Sequence, residues 1–474
     1  MSELNATTLP TCAEEPQGAR AARDDRRASA GRSAGSTGMA PCVAASVAMF
    51  LIGMDTLIVN VALPTIEAEL GGGMAAQQWI VDGYTLPFAA LLLLAGNLSD
   101  RFGAKRAFVA GTVGFALSSL VCTLAASAGT LVLGRVLLGV SASLILPSSM
   151  SVINQAYTDE RDRSRALALW GIGGSSSMAV GPILGGILTP VHWSLVFAVN
   201  VPFCLLILVL IAKLPASSVA SQPFDVPGQA LSILGLACLT AAIIEGGSLG
   251  MTALLPLGLL ALGAASILGF LLVEARSEHP MMPLGLFGSM EMRTAVFGGF
   301  AMILSWNGAI FICTLILQQV AGLDPLSSGL AFLPSAVTCS VSNILSDRLS
   351  GRISTRAILT AGIVLLAAGY AMLIVRAGSL DAFSVALAIS VAGLGGGLIT
   401  PTFASLVLKG SEPSQAGISS AVFNTFRQVG GAVGVAVFGA LATGLGSVTL
   451  GVEASFALSL ALMAVLFILA RAVK

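Results

Sequence analysis

The first long apolar stretch of the chain contains a carboxylate, Asp55, within Met54-Asp-Thr-Leu-Ile-Val-Asn-Val-Ala-Leu-Pro64. A carboxylate near the middle of a bilayer costs roughly 2.5–3.5 kcal/mol on insertion scales. Such a group must line a cavity, pair with a cation or bind a proton, and desolvation favours its protonated form. We predict that Asp55 exchanges protons or contacts a substrate. A fixed ion pair or a packing hydrogen bond is the structural alternative.

An arginine lies at a similar depth in the fourth apolar stretch, in Leu133-Gly-Arg-Val-Leu-Leu-Gly-Val140. A long cationic side chain near a helix end can reach interfacial water, which is the simpler interpretation of Arg135. The sharper hypothesis is that Arg135 pairs with Asp55 in one state and releases it in another, so that the two residues form a proton-coupling pair.

Other polar residues in apolar stretches are candidates for a substrate cavity. Asp82 lies in Trp79-Ile-Val-Asp-Gly-Tyr-Thr-Leu86, and a solvated interfacial position is an equally good interpretation of it. Arg427 and Gln428 lie in the thirteenth stretch, where Arg427 either reaches the cytoplasm or contacts inner loops. The residues predicted to line the cavity are Asp55, Asn60, Asp82, Tyr84 and Asn424.

A polar tetrapeptide, Leu98-Ser-Asp-Arg101, recurs as Leu345-Ser-Asp-Arg348, each time in a short basic gap between two apolar stretches. Gly139 to Pro147 similarly parallels Gly393 to Pro401, with the same spacing from glycine to proline. Repeats at equivalent points of two hydrophobic halves indicate a duplicated membrane transporter. We predict a conformational latch, with a plain polar turn as the alternative, formed by Gly96, Asp100, Arg101, Gly103, Asp347 and Arg348.

The composition requires a bilayer around most of the chain. Of its 474 residues, 56% are hydrophobic and 10% charged, against about 25% charged in soluble proteins. The formal net charge is zero and no large basic patch occurs, so nucleic acid is not a predicted partner. The seven cysteines have no metal-site spacing and only two histidines occur. We expect no metal, no cofactor and no enzymatic activity, and there is no Gly-x-x-x-x-Gly-Lys-Ser/Thr motif for ATP.

Apolar stretches long enough to cross a hydrocarbon layer of about 30 Å, which takes about 20 helical residues, occur fourteen times. They predict an all-α membrane protein. The predicted spans are 41–62, 78–98, 107–126, 130–152, 166–188, 194–212, 228–246, 252–273, 295–317, 328–346, 357–375, 382–406, 416–442 and 450–470.

The positions of lysine and arginine predict the orientation. With the N-terminus in the cytoplasm, 20 of the 23 lie on the cytoplasmic side, which follows the positive-inside rule. Both termini are then cytoplasmic. The predicted organisation is an arginine-rich disordered tail (1–38), an N-terminal six-helix bundle (39–213), two linker transmembrane helices (214–276) and a C-terminal six-helix bundle (277–474).

These motifs together resemble those of the major facilitator superfamily, and most closely its fourteen-span drug:proton antiporters. The segment around Asp55 resembles a signature of that family, residues 96–106 resemble its loop motif, and Arg135 with Gly139 resembles its proton-coupling motif, although Leu138 stands where a polar residue is usual. The segment around Arg427 and Gln428 also fits. The antiporter motif, which is thought to mark exporters, is matched by Gly181, Pro182, Gly185 and Gly186.

The resemblance implies the major facilitator fold, two six-helix bundles plus two extra central helices, in the bacterial cytoplasmic membrane. We expect the protein to act as a monomer, with a dimer as the alternative. The implied function is proton-driven export of lipophilic drugs, antibiotics or secondary metabolites by alternating access. The implied partners are such a small molecule, protons and the lipid bilayer. Proton-coupled uptake of a small nutrient or metabolite is the alternative. A membrane enzyme fits poorly, because the loops are short and histidine is scarce.

Overall fold

The computed structural model describes residues 39–473 except for positions 158, 213, 215–216, 218–224, 278–279, 351 and 413–414. The predicted tail (1–38), Lys213 and His279 lie outside the described residues, and so does the side chain of Asp100.

Within the described residues, fourteen helices are long and apolar enough to cross a membrane, so the predicted all-α architecture with fourteen spans is confirmed. The sixth and tenth spans each consist of two helical pieces, and the ninth continues as a π-helical turn, Ile316–Val320. We number the spans α1 (Ala40–Leu70), α2 (Gly73–Phe102), α3 (Ala104–Thr123), α4 (Ala128–Ala156), α5 (Glu160–Leu188), α6 (Leu195–Ala212), α7 (Val226–Leu249), α8 (Leu254–Arg276), α9 (Met290–Leu315), α10 (Pro325–Leu349), α11 (Thr355–Val375), α12 (Ala382–Lys409), α13 (Ala416–Gly444) and α14 (Val448–Ala472).

Local sequence explains where several helices begin. Asp159, Asp225 and Asp381 each precede a helix and accept hydrogen bonds from backbone N–H groups of its first turn, which have no partner within the helix. Between α2 and α3 the chain turns at the single residue Gly103, whose φ of 93° is strained for any residue with a Cβ atom. Residues 98–101 lie at the end of α2, directly before this turn, and residues 345–348 lie at the end of α10, so both copies of the tetrapeptide are helical and neither is in a loop.

The halves repeat in their packing as well as in their sequence. α4 packs against α2 and α3 as α12 packs against α10 and α11, and α3 contacts α6 as α11 contacts α14. The paired glycines of the sequence repeat have equivalent places: a Cβ atom at Gly139 would overlap the carbonyl oxygen of Tyr84 in α2, and one at Gly393 would lie 2.8 Å from that of Ser335 in α10.

Two hydrophobic cores follow the two halves. One is built mainly from α1–α4 and α6, and the other mainly from α9–α14. A few residues cross over: Leu57 of α1 belongs to the second core, and Phe311 and Val435 belong to the first. This arrangement supports the predicted division into two bundles, whose boundaries stay a prediction.

The halves also meet through polar contacts, which lie toward one end of the bundle. Following the predicted orientation, we call this end outer and the end with the α2–α3 loop inner. Gln78 of α2 donates to the carbonyl oxygens of Val435 (3.3 Å) and Ala436 (2.7 Å) in α13, and Gln318 donates to that of Val61 in α1 (3.0 Å). These contacts hold the outer ends together.

α7 and α8 form the pair between the halves in sequence, and α8 packs along α7. α7 is bonded to α2 near both of its ends, because Gln229 donates to the carbonyl oxygen of Ala90 (2.7 Å) and the indole N–H of Trp79 donates to Glu245 Oε1 (3.1 Å). At its outer end it also accepts at Gly247 O a hydrogen bond from Thr443 of α13 (3.3 Å).

Glycines bring α5 against α1. A Cβ atom at Gly173 would overlap the carbonyl oxygen of Ser46, and one at Gly185 would lie 2.9 Å from that of Ile58. In the second half, Gly430 and Gly434 of α13 lie equally close to the backbone of α9. Lipid tails are as apolar as leucine, so close packing of this kind is a main source of helix association in a membrane.

We predict that Gly173→Val destabilises the protein by about 1–3 kcal/mol, because the valine side chain meets backbone that cannot move aside. Gly171→Val is the matched control on the same helix, since no atom lies within 4 Å of a Cβ atom there. Thermal unfolding of the detergent-solubilised variants measures both. Equal shifts of the unfolding temperature in Gly173→Val and Gly171→Val would contradict the packing argument.

Candidate functional site

The charged residues predicted to pair do so in the interior of the N-terminal half. Asp55 of α1 and Arg135 of α4 are both 0% exposed, and Asp55 Oδ2 accepts from Arg135 Nη1 at 2.5 Å. The other carboxylate oxygen, Oδ1, accepts from the side-chain amide of Asn200 in α6 at 2.8 Å. Asn200 also donates to Ser119 of α3 at 3.3 Å. The cluster therefore joins four helices.

The guanidinium of Arg135 is held by three further groups. Its Nε donates to the carbonyl oxygen of Ile80 in α2 at 2.9 Å, which adds a fifth helix. Its Cζ lies 4.4 Å from the ring centroid of Tyr84 and 5.8 Å from that of Phe197, so two aromatic faces flank the cation. The hydroxyl of Tyr84 in turn donates to the carbonyl oxygen of Ile52 in α1 at 3.3 Å.

Small residues make this cluster possible. Gly83 brings α2 so close to α4 that a Cβ atom there would lie 3.4 Å from the Cβ of Arg135, and Gly139 meets the backbone of α2 one turn further inward. Glycine at both positions lets the arginine fill the gap between the helices with its own side chain. The motif that places Gly139 four residues after Arg135 thus has a direct steric basis.

The two charges of this buried pair depend on each other. Away from water, removing one partner leaves the other uncompensated. Because the hydrogen bonds of the pair involve five helices, loss of either charge affects the packing of all five.

Asn60, another predicted cavity residue, faces a small cavity between the halves. α1, α2, α9 and α13 contribute its walls, which are Thr56, Leu57, Asn60, Val81, Asn307, Ile310 and Val435. Asn60 donates to the carbonyl oxygen of Thr56 at 3.1 Å. Asp55 and Tyr84, which we predicted to line the same cavity, lie instead among the helices of the N-terminal half.

Asp82 is 0% exposed on α2, where its Oδ1 accepts from the hydroxyl of Thr85 at 3.1 Å. Its Oδ2 is buried without a hydrogen-bond partner among the described residues. The side chain therefore lies inside the protein, away from interfacial water, and its role stays a prediction.

The predicted residues of α13 adjoin one another. Asn424 Oδ1 accepts from Arg427 Nη1 at 3.4 Å, and the guanidinium lies 5.6 Å from the ring centroid of Phe423. Asn424, Arg427 and Gln428 are all partly exposed.

The predicted latch residues lie at two helix ends, with Gly96, Arg101 and Gly103 at the inner end of α2 and Asp347 and Arg348 at that of α10. Arg101, Asp347 and Arg348 are exposed, and the ion pairs found among the described residues include none of them. Gly96 has open space where a Cβ atom would stand. Lys105, which we did not single out from the sequence, ties the start of α3 to the inner end of α6, where Nζ donates to Ala212 O at 3.1 Å.

The predicted antiporter motif lies at the contact between α5 and α10. A Cβ atom at Gly186 would be 2.5 Å from the Cα of Leu326, and Gly329 lies equally close to the carbonyl oxygen of Pro182. Gly181 and Gly185 face α1 instead. The motif therefore packs α5 against both halves near the outer end.

Asn200 and Ser119 are site residues that the sequence prediction missed. Asn200 is the one amide in the apolar run of α6, and a polar residue in such a run usually faces a partner inside the protein. That signal was available from the sequence. In the described part of the chain, no group of three or more His, Cys, Asp or Glu side chains is placed to hold a metal.

Fourteen spans, repeated packing in two halves and an internal ion pair define a class of protein, the polytopic membrane transporter with two repeated halves. The sequence profile described as Major Facilitator Superfamily matches residues 45–435. The chain belongs to this superfamily, and the resemblance predicted from its motifs is confirmed.

Several proteins of similar sequence have names that refer to resistance, efflux or export. The chain is 35% identical over 390 residues to a "Methylenomycin A resistance protein" of Streptomyces coelicolor, covering 81% of this chain and 82% of that protein. It is 34% identical to a "Cephamycin export protein CmcT" of Amycolatopsis lactamdurans (89% and 88% covered). It is 32% identical to a "Multidrug efflux pump LfrA" of Mycolicibacterium smegmatis (83% and 79% covered).

Solved structures of similar fold include a "peptide transporter POT in complex with sulfate", with a TM-score of 0.69 and 15% sequence identity, covering 91% of this chain and 94% of that one. At this identity the similarity concerns the fold alone.

We predict that Asp55→Asn lowers stability by about 3–5 kcal/mol, because Arg135 then stays buried without its carboxylate. Adding Arg135→Leu should restore part of the loss, since no unpaired charge remains. A double-mutant cycle by thermal unfolding measures the coupling.

Asp381→Asn is the control for this cycle. It removes the partner of Arg376 from an exposed ion pair, with side chains 60% and 51% exposed, and should cost under about 1 kcal/mol. If the double variant loses as much free energy of unfolding as Asp55→Asn and Arg135→Leu lose in sum, the two residues do not stabilise each other.

Proposed function

We propose that this protein exports lipophilic small molecules, such as antibiotics or secondary metabolites, across the bacterial cytoplasmic membrane in exchange for protons. The observation that carries the proposal is the fully buried pair of Asp55 and Arg135, whose hydrogen bonds link five helices of the N-terminal half. The resistance and export names of several relatives support the direction of transport and the class of substrate.

The proposed cycle is alternating access. With the outer ends held together, substrate enters between the halves from the cytoplasm. Opening of the outer side exposes Asp55 to incoming protons, and its protonation weakens the bond to Arg135 and favours release of the substrate. Return of the proton to the cytoplasm restores the pair. The driving force is about 2.3 kcal/mol per charge per 100 mV of membrane potential, plus the pH gradient.

The remaining parts of the proposal concern the latch and the assembly. Asp100, Arg101, Asp347 and Arg348 would form inner contacts when the outer side opens, as the latch hypothesis requires. The exposure of Arg101, Asp347 and Arg348 here fits a conformation closed at the outer end. Each protein would act as a monomer, with both termini in the cytoplasm.

We predict that Asp55→Asn abolishes substrate-dependent proton movement in inverted membrane vesicles. The reason is that an amide side chain neither gains nor loses a proton near neutral pH. A pH-sensitive dye inside the vesicles measures the movement on addition of ethidium. Asp381→Asn, at an exposed position, is the matched control and should behave as wild type.

Undiminished proton movement in the Asp55→Asn variant would remove Asp55 from this role. The same vesicles decide the direction of transport: accumulation inside inverted vesicles means export, whereas proton-coupled loss from them would establish the alternative, uptake of a nutrient.

We predict that a disulfide between the outer ends arrests transport. The pair Gln78→Cys and Gly439→Cys, introduced together without the native cysteines and oxidised with copper phenanthroline, joins α2 to α13 where the Cγ of Gln78 lies 2.8 Å from the position of a Cβ atom at Gly439. Transport in vesicles should fall at least about tenfold and recover with a reducing agent, because alternating access requires these ends to separate.

The control pair is Thr338→Cys with Ser390→Cys, which joins two helices of the same half where Thr338 donates to Ser390 O at 3.0 Å. Its disulfide should leave transport near normal. Full activity of the protein with the outer ends cross-linked would exclude their separation during transport.

A further inference from the structure

Charges inside the spans are distributed unequally between the two halves. In the N-terminal half, Asp55 and Arg135 form an ion pair, and a second buried carboxylate, Asp82, has no cationic partner among the described residues. In the C-terminal half, Arg427 lies in the middle of α13, eleven residues beyond Ala416, which corresponds to about 16 Å along the helix from its inner end. Among the described residues no carboxylate is within ion-pair distance of Arg427.

Arg427 is poorly satisfied by the protein in comparison with Arg135. The guanidinium of Arg135 donates to a carboxylate and to a backbone carbonyl oxygen. That of Arg427 makes one long hydrogen bond, 3.4 Å to Asn424 Oδ1, and its Nε is buried without a hydrogen-bond partner among the described residues. Guanidinium has five N–H donors, so most of its capacity remains for an acceptor from elsewhere.

The position of this arginine is fixed by its surroundings. Its Cγ lies 2.9 Å from where a Cβ atom of Gly299 in α9 would be, so its stem packs on α9. Its guanidinium lies beside the ring of Phe423. The guanidinium of Arg427 is thus held in one place by packing, while the side chain as a whole stays partly exposed. A cation that is both pre-positioned and reachable is suited to bind a ligand.

The helix face next to Arg427 leads to the space between the halves. Asn424 precedes Val435 by eleven residues, a spacing that returns to the same side of a helix. Val435 lines the small cavity with Asn60 of α1 and Asn307 of α9. Asn424 and Arg427 therefore lie inward of that cavity, on the route that substrate takes from the cytoplasm in the proposed cycle.

We propose that Arg427, with Asn424 beside it, binds the anionic group of the substrate, and that amphipathic organic acids are therefore a preferred substrate class. A planar guanidinium matches a carboxylate with two parallel hydrogen bonds. The ring of Phe423 offers an apolar surface for the remainder of such a molecule. This inference rests on the proposed export function and specifies its substrate.

The test compares 1-pyrenebutyrate with its methyl ester, which differ in charge and share the pyrene body. Binding to the purified full-length protein in nanodiscs is measured by fluorescence anisotropy, and transport is measured in inverted vesicles. Wild type should bind the acid at least about tenfold more tightly than the ester. Arg427→Met should weaken binding of the acid at least about tenfold and that of the ester less than twofold, because it removes the charge-assisted bonds.

Two further variants separate charge from structure. Arg427→Lys retains the cation without the planar fork and should bind the acid with intermediate affinity. Arg471→Met is the matched control, since Arg471 is an exposed cation near the inner end of α14 that also lies over an aromatic ring, Phe467. It should bind both probes as wild type does. If Arg427→Met does not fold, the Lys variant alone decides, because a purely structural role predicts equal change for acid and ester.

Equal affinity of wild type for the acid and the ester, or equal loss of both in Arg427→Met, would overturn the inference. Its failure differs from failure of the proposed function. Proton-driven accumulation of ethidium without preferential binding of the acid would keep the export function and reject the anion site. Preferential binding of the acid, lost in Arg427→Met, without proton-coupled transport of any probe would support the anion site and reject the proton coupling.

Discussion

Two opposite charges that cannot be hydrated must remain together, and the N-terminal half is arranged around this constraint. Asp55 and Arg135 are contributed by different helices, and the groups that complete their hydrogen bonding come from three more. Removing either charge leaves the other exposed to the low dielectric of the interior. The helices around the pair are consequently linked through electrostatics as well as through packing.

Contacts between helices that lack this electrostatic link depend on shape. Glycines place α5 on α1 and α13 on α9 at backbone distance, and the same device joins α5 to α10 near the outer end. Where polar groups cross between the halves, as at Gln78 and Gln318, they bond to backbone carbonyl oxygens. Such contacts involve no charge, so they can break and re-form during a transport cycle at modest cost.

Much of this organisation was predictable from the sequence, for physical reasons. The spans were recognisable because hydrocarbon tolerates only long apolar helices, and Asp55 and Arg135 stood out because charge is costly there. Helix ends were less accessible: the first span was predicted at 41–62, whereas α1 continues to Leu70 because a helix does not stop where the bilayer does. The partners of Gln78 and Gln318 were unpredictable, since a backbone carbonyl oxygen has no residue type.

The first linker helix, α7, is attached to both halves of the molecule. Two of its side-chain hydrogen bonds to other spans in the described residues join it to α2, at both ends, and one joins it to α13. α7 also packs closely on α13, where a Cβ atom at Gly247 would lie 2.7 Å from the Cα of Ala440. Any separation of α2 from α13 at the outer end therefore has to break one of these two attachments, so the linker pair limits how far the two halves can part.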